Sequence, residues 1–369
     1  MRIAIDARKL HDFGIGTYVR NLLVHLARLD RDSEYVLLSR PDDIGVAATL
    51  GPNFRAVAAP ARPYSVGEQL RIPWRLQREH AGLFHTPHYV LPPLTPCRSV
   101  VTIHDCIHLV FPQYLPNRLA HVYARTFLWT AARRADLVLT VSEASKRDIL
   151  RYCHVPDSKV VVISNAIDER FATPPSPEQI DWVRSRYQID GPMLLYVGNI
   201  KPHKNVERLI EAFRILRTRG FNEVTLLVIG DDISKYAGLR RAVHRYKLHR
   251  HVRFLGYVPQ ETLAALYGLA TAFVFPSLYE GFGLPPLEAM ASGTPVITSN
   301  VSSLPEVVGD AAILIDPHDA HAIADGMEQV LVDASLREAL RERGLARVRQ
   351  FSWERSIRRV WEIYRQVGR

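Results

Sequence analysis

Along this chain, short runs of apolar, mostly β-branched residues recur, each followed by a stretch in which apolar positions return every three to four residues. In the first part the runs are 2–6, 35–39, 54–58, 83–86, 100–104, 137–141 and 160–164. In the second they are 193–198, 224–230, 252–255, 272–276, 296–299 and 312–315. Runs such as Val160-Val161-Val162-Ile163 show no polar alternation, the pattern of parallel strands covered on both faces. Such strand–helix alternation predicts doubly wound α/β layers. The rhythm breaks at Phe171-Ala172-Thr173-Pro174-Pro175-Ser176-Pro177, where the prolines forbid regular structure. Two similar α/β domains in tandem are therefore expected, 1–172 and 173–352, each long enough to bury its own core. The final helical stretch, 353–369, has no following strand to cover and is expected to fold back across the first domain.

Composition changes this picture little. The chain of 369 residues is 47% hydrophobic and 23% charged, which excludes a disordered chain, a collagen-like one and a disulfide-stapled mini-domain. No apolar run reaches the ~18–20 residues of a membrane span. The opening MRIAIDARKL is interrupted by Asp6, Arg8 and Lys9, unlike a secretory leader. Cys97, Cys106 and Cys153 form no CxxC pair and read as reduced thiols in a cytoplasmic protein, not as a zinc site. Charge is more telling. Of the net +9, residues 1–172 carry +6 (22 Lys+Arg against 16 Asp+Glu). A basic first half suits an anionic partner: a phosphorylated substrate, an acidic membrane surface or nucleic acid.

Three strand-to-helix turns carry candidate chemistry, because ligands of open α/β sheets bind at the carboxyl ends of strands near helix N-termini. The first is Phe13-Gly14-Ile15-Gly16-Thr17-Tyr18, ahead of a helix expected over 18–29. Val19 stands where a dinucleotide fingerprint needs its third glycine, which counts against a nicotinamide enzyme. The second is Gly198-Asn199-Ile200-Lys201-Pro202-His203-Lys204-Asn205. Here Asn205 is expected to cap a helix with Val206, Leu209, Ile210, Phe213 and Leu216 on its apolar face. Lys204 would then stand where a helix N-terminus already favours anions. The third is Glu280-Gly281-Phe282-Gly283-Leu284-Pro285-Pro286-Leu287-Glu288. Its glycines make the turn, its prolines suit a first helical turn, and its two glutamates bracket the helix start. That arrangement can hold hydroxyls and phosphate together.

The string EGFGLPPLEAMASGTPVITSNVSSLPEVVGDAAILIDP, with VGNIKPHKN and VTIHD, closely resembles the signature of glycosyltransferase family 4. The resemblance covers essentially the whole chain. It implies a GT-B fold, two Rossmann-like α/β domains facing a central cleft, and a retaining, nucleotide-sugar-dependent transferase without a metal or other cofactor. By this resemblance Glu288 holds the ribose hydroxyls, Glu280 lies beside the donor sugar, and the amides of Phe282, Gly283 and Leu284 face sugar and diphosphate. Lys204 matches the diphosphate lysine, His104 the histidine near the transferred sugar, and Gly14 with Gly16 the loop over the phosphates. Many members carry arginine where this chain has Asn199, so either Lys201 or another cation substitutes as the second diphosphate clamp, or the leaving phosphate is stabilised more by N–H groups. Ala166 stands where the family often has glycine.

The chemistry so implied places charge on a departing nucleoside diphosphate, to be stabilised by a cation and helix amides. No Asp-x-Asp metal pair is apparent, and Asp231-Asp232 reads as a solvent-facing turn. Front-face transfer, with the leaving phosphate taking the acceptor's proton, is favoured over double displacement on Glu280. The variants of the signature resemble those of polysaccharide mannosyltransferases, which points to GDP-mannose as donor, UDP-glucose or another UDP-sugar being the alternative. The acceptor is expected to be a glycan or lipid-diphosphate-linked glycan against the basic first domain, with peripheral contact to anionic membrane at its inner face. Arg71, Arg75 and Arg78 on one helix, and Arg118 and Arg125 on another, are the candidate basic positions. Trp74 and Trp129 are expected in core packing rather than at an interface. An epimerase or phosphorylase of the same fold is the enzymatic rival. A nucleic-acid binder is disfavoured, since no zinc, helix-turn-helix or aromatic-sheet motif accompanies the basic half.

Overall fold

The apolar runs become parallel strands. A computed structural model of the chain describes residues 1–61, 65–230 and 233–368, divided into two units: Met1–Asn165 with Ser352–Arg369, and Ala166–Phe351. In the first unit β1 (Arg2–Asp6), β2 (Glu34–Ser39), β3 (Phe54–Ala58), β4 (Leu83–Thr86), β5 (Arg98–Thr102), β6 (Leu137–Thr140) and β7 (Val160–Val162) form one sheet. Its order is β3-β2-β1-β4-β5-β6-β7, so the winding reverses between β1 and β4. The helices are α1 (Phe13–Leu29), α2 (Val66–Arg78), α3 (Ile107–Val110), α4 (Arg118–Arg134) and α5 (Glu143–Cys153). Ile72 and Leu76 of α2, Leu128, Ala131 and Ala132 of α4, and Ile149 and Cys153 of α5 share one core with Ala4, Phe84, Val101 and Val138. These three helices therefore cover the same face of the sheet.

The second unit holds α6 (Glu169–Ala172), α7 (Pro177–Tyr187), β8 (Met193–Gly198), α8 (Val206–Thr218), β9 (Thr225–Gly230), α9 (Ala237–Arg245) and β10 (Val252–Gly256). It continues through α10 (Gln260–Leu269), β11 (Ala272–Phe275), α11 (Leu284–Ala291), β12 (Val296–Ser299), α12 (Leu304–Val308), β13 (Ala312–Ile315), α13 (Ala320–Val332) and α14 (Ala334–Val348). The six strands run β10-β9-β8-β11-β12-β13, again reversing between the first and fourth strands of the unit. The units divide before α6, earlier than the proline-rich break that the sequence suggested. The physical reason is Phe171, buried edge-on against Tyr267 of α10 at 5.8 Å, which commits α6 to the second core.

The chain ends on α15 (Trp353–Val367), which packs on α1 within the first unit. Its buried face of Trp353, Ile357, Val360, Ile363 and Tyr364 follows the helical period. Three polar contacts fix it. Tyr364 Oη lies 2.5 Å from His85 Nδ1, Trp361 Nε1 donates to Asp30 Oδ2 at 3.0 Å, and Ser356 Oγ donates to the Ser164 carbonyl at 2.7 Å. His85 is wholly buried, its other nitrogen 2.8 Å from Thr102 Oγ1, and burial pushes its pKa down to about 3, so it stays neutral. Tyr364→Phe leaves that imidazole short of one partner. A loss of about 1–3 kcal/mol is expected in urea unfolding, unchanged between pH 6 and 8 because His85 does not titrate there.

Candidate active site

In the second unit the carboxyl ends of β8, β9 and β11 converge on one group of side chains. Gly198 and Gly230 end paired strands at φ +154° and +152°. A Cβ on Gly230 would strike the Gly198 carbonyl, so glycine is required for the approach of these two turns. Beyond Gly198 the backbone makes a short 3-10 turn, Pro202–Lys204, and enters α8. The predicted apolar face of α8 is buried as expected. Asn205, however, makes no side-chain cap. It sits in the left-handed region at φ +60°, and its Nδ2 donates to the carbonyls of Pro276 (3.0 Å) and Pro317 (2.7 Å). Donation to those two strand-end carbonyls turns the side chain away from the helix amides that a capping oxygen would accept from, and its backbone lacks the extended geometry of an N-cap. The result is that the Lys204 turn is bolted to the segments leaving β11 and β13.

Lys204 then points at the third turn. Its Nζ forms an ion pair with Glu280 Oε1 at 2.6 Å, both side chains largely buried, and lies 5.2 Å from the Phe275 ring centre. Two serines hold the glutamate loop. Ser302 Oγ and Ser303 Oγ donate to the Glu280 carbonyl at 2.7 and 2.9 Å, and Ser303 Oγ also lies 2.8 Å from the Phe282 carbonyl. Gly283 turns the chain into α11 at φ +105°, and a Cβ there would sit 2.7 Å from Leu304 Cδ2. Leu284, Pro285 and Pro286 form the first turn, so two of its members have no N–H to leave unsatisfied. Phe282, Gly283 and Leu284 carry the amides at this positive end of the helix dipole.

Glu288 lies one turn further in, and Tyr267 Oη donates to its Oε2 at 3.1 Å. Burial raises its pKa to about 7, against the pull of that hydrogen bond and with Asp168 adding to the rise. The same burial, and the facing carboxylate, push the Tyr267 hydroxyl well above its ordinary value. Thus the unit brings together Lys204, Glu280, Phe282, Gly283, Leu284 and Glu288. Asn199 stands at the mouth of the first turn, with its carbonyl accepting from Tyr196 Oη at 3.0 Å and its Oδ1 buried without a hydrogen-bond partner among the described residues. Lys201, considered as a substitute for the missing arginine, is exposed. Tyr267, Ser302 and Ser303 escaped the sequence reading, because nothing local in spacing links them to residues more than a dozen positions away.

The remaining predicted residues belong to the first unit. Gly14 and Gly16 do not form a loop ahead of a helix: α1 begins at Phe13, and both lie in its first turns. Glycine at 16 is demanded by the Leu10 carbonyl, 2.5 Å from where a Cβ would be, and that carbonyl also accepts from Arg20 Nη1 at 2.6 Å. His104 follows β5. Its Nε2 lies 3.1 Å from the Pro87 carbonyl, and the Tyr18 ring stands edge-on to it at 5.1 Å. Burial lowers its pKa, opposed by Asp105 and by the Pro87 hydrogen bond. Asp105 itself accepts from the Ile107 amide at 2.9 Å. A buried cluster went unread in the sequence: Arg8 Nη2 bridges Asp6 (2.5 Å) and Glu68 (2.6 Å), which raise the guanidinium pKa despite burial. Among the described residues no group of His, Cys, Asp and Glu could hold a metal ion. Asp231-Asp232 lies outside the described residues.

Two family descriptions match this chain: "Glycosyltransferase Family 4" over residues 14–171 and "Glycosyl transferases group 1" over residues 183–347. O-antigen chain mannosyltransferase B of Escherichia coli is 38% identical over 301 residues, 80% of this chain and 77% of that protein. The serotype-specific mannosyltransferase WbdA of Escherichia coli is 32% identical over 272 residues, 70% of this chain but only 32% of the much longer WbdA. Among solved structures, Anabaena Alr3699/HepE in complex with UDP-glucose superposes with a TM-score of 0.80 at 18% identity, covering 99% of this chain and all of that one (100%), and shares the fold.

Proposed function

The chain belongs to glycosyltransferase family 4, a glycosyltransferase of GT-B type, and from that premise we propose that it transfers mannose from GDP-mannose to a glycan of cell-surface polysaccharide synthesis, with retention of configuration. The observation that carries this reading is the buried Lys204–Glu280 pair facing the glycine turn at the start of α11, with Glu288 one turn beyond. One cation and one carboxylate at 2.6 Å neutralise each other in the resting site. A diphosphate sugar separates their tasks: the ammonium goes to the phosphates and the carboxylate is left to accept from sugar hydroxyls. The amides of Phe282, Gly283 and Leu284 add fixed positive dipoles at the same end of the helix. Glu288 then receives the ribose hydroxyls. In the step itself, the bond from the anomeric carbon to the β-phosphate oxygen breaks. The acceptor oxygen bonds to that carbon on the same face, and its proton passes to the leaving phosphate. These residues supply charge stabilisation without calling on a metal.

Mannose is favoured by the 38% identity to an O-antigen mannosyltransferase over most of both chains. The second reading, a UDP-glucose-dependent transferase, is favoured by the shared fold with a protein solved with UDP-glucose. The acceptor in this proposal is a glycan carried on a lipid diphosphate at the inner face of the membrane. Among the described residues no helix is long and apolar enough to cross a membrane. A thermal-shift panel of GDP-mannose, GDP, UDP-glucose, UDP and NADH separates the readings. A rise in Tm is expected with GDP-mannose and GDP and none with NADH, and the rise is expected to vanish in Glu288→Ala. A shift with UDP-glucose and UDP instead replaces the mannose reading, and silence with every nucleotide overturns the donor site. The anomeric configuration of the product, read by NMR, tests retention.

A further inference from the structure

In the second unit, α9 and the turn after it form a basic surface. From 233 to 260 the chain has seven lysines and arginines and no acid. Leu239 and Val243 are buried and hold α9 to its core, while the opposite face carries Arg240, Arg241, His244 and Arg245, all exposed. Lys247, His249 and Arg250 follow, also exposed. Burial lowers the pKa of His251, and the nearness of Arg217, Arg250 and His249 lowers it further. The last turn of α8, which holds Arg217, thus adds a cation to the same surface.

Arg240, Arg241, Arg245, Lys247 and Arg250 make no ion pair among the described residues. Glu207 of α8 reaches the first turn of α9 instead, its Oε1 3.1 Å from where a Cβ on Gly238 would be. Two neighbouring arginines are spent on backbone: Arg217 donates to the Asn222 carbonyl and Arg253 to that of Tyr187. Helix stability does not account for the rest. Cations in a last turn complement the helix dipole, which covers His244 and Arg245. Yet Arg241 and Arg245 stand one turn apart, a like-charge spacing that weakens a helix. Between 233 and 256 no large apolar side chain is exposed, and the Tyr246 ring lies under Arg214 at 5.2 Å. The surface offers charge without apolar anchors.

We propose that α9 and the turn after it dock an acidic peptide segment of another protein, its carboxylates paired with Arg240, Arg241, Arg245, Lys247 and Arg250. Charge complementarity selects this occupant. Guanidinium groups take carboxylates in bidentate pairs, and charge alone steers and orients such a partner. A bilayer would gain no apolar side chain to bury, and a nucleic acid no exposed tyrosine, phenylalanine or tryptophan to stack on. A second copy of the same face would set arginine against arginine. The turn from α9 lies at the amino end of β10, whereas the donor turns leave the carboxyl ends of strands parallel to it. Docking there uses no residue of the Lys204–Glu280–Glu288 site, so the proposal stands or falls apart from the donor reading.

The test is fluorescence anisotropy of a labelled oligoglutamate peptide titrated with the full chain, beside oligoglutamine and a single-stranded oligonucleotide of equal charge. Saturable binding of oligoglutamate that weakens as salt rises is expected, and no binding of oligoglutamine. Arg240→Glu with Arg241→Glu is expected to weaken it roughly tenfold, as two ion pairs give way to repulsion. Lys247→Glu with Arg250→Glu is expected to do the same. Arg240→Gln with Arg241→Gln should give a smaller loss in the same direction, which keeps the test should the reversal disturb α9. Arg28→Glu with Arg31→Glu makes an equal change of net charge at exposed positions of the first unit and is expected to leave affinity nearly unchanged. Each variant should keep the wild-type Tm and its shift with GDP-mannose. Absence of binding, an equal loss in the first-unit variant, or tighter binding of the oligonucleotide overturns the proposal. Binding of oligoglutamate without any nucleotide shift leaves the docking face standing and removes the donor reading.

Discussion

Replacing Lys204 with alanine is expected to reduce turnover by about 10²–10³-fold, the cost of removing one preorganised group from a site where charge develops. The reason lies in the resting geometry. The ammonium is held 2.6 Å from Glu280 in a largely buried position, beside the Phe275 ring and on a turn that Asn205 fastens to two strand ends. A cation placed in advance needs no reorganisation when the diphosphate departs. Its removal has a second consequence. Glu280 loses its only ion-pair partner among the described residues while remaining mostly buried, so Lys204→Ala is expected to unfold about 1–3 kcal/mol more easily as well. Glu280→Gln in the same chain removes the orphaned charge. The double variant is therefore expected to recover stability without recovering turnover. Urea unfolding and single-turnover kinetics on the four members of that cycle separate the two effects. Equal turnover in wild type and Lys204→Ala would sink the assigned role. Stability losses that simply add would show that the pair is not coupled in the resting protein.

The difference between what the sequence displayed and what only the structure shows follows from range. Strand positions such as Val160-Val161-Val162 and the α8 face of Leu209, Ile210 and Phe213 are local patterns of burial, and they fold as read. The turn chemistry of Gly283-Leu284-Pro285-Pro286 is local too, since a glycine with positive φ and prolines in a first turn act within four residues. Asn205 was misread because an asparagine before an apolar helical run is ordinarily a cap. Its actual partners, Pro276 and Pro317, are far away in the chain and leave no local mark. The start of α1 was misplaced for the converse reason. Two glycines weaken a helix intrinsically, yet α1 includes both, and the close approach of the Leu10 carbonyl from the turn before the helix admits nothing larger at Gly16. The exposed Trp74 and Trp129 were also beyond local reasoning, because a tryptophan at helical spacing looks the same whether it faces core or solvent.

Glu288→Gln is expected to strip the protein of most of its nucleotide affinity and at the same time make it more stable above neutral pH. A carboxyl whose pKa is raised to about 7 by burial opposes folding in its charged form. The sign follows from linkage. The unfolded glutamate ionises near 4.5, so the folded protein is at its best below that pH and loses stability as pH rises through about 7. At 1.36 kcal/mol per unit the full loss is on the order of 3 kcal/mol. Glutamine carries no such charge. Its Tm is expected to match wild type near pH 4 and to exceed it by several degrees at pH 8. Binding runs the other way. Two ribose hydroxyls donating to a carboxylate favour its ionised form, so nucleotide binding should release a proton below about pH 7, and affinity for GDP should climb as pH rises from 6 to 8. Calorimetry of GDP in buffers of different ionisation enthalpy reads that proton directly. In Glu288→Gln the proton release is expected to disappear and affinity to fall by roughly 10²-fold, as for charge-assisted hydrogen bonds lost in a buried site. A wild-type affinity flat across this range would place the ribose elsewhere. A Glu288→Gln Tm below wild type at pH 8 would mean that the Tyr267–Glu288 hydrogen bond outweighs the desolvated charge, and that the carboxylate supports the fold rather than straining it for a ligand.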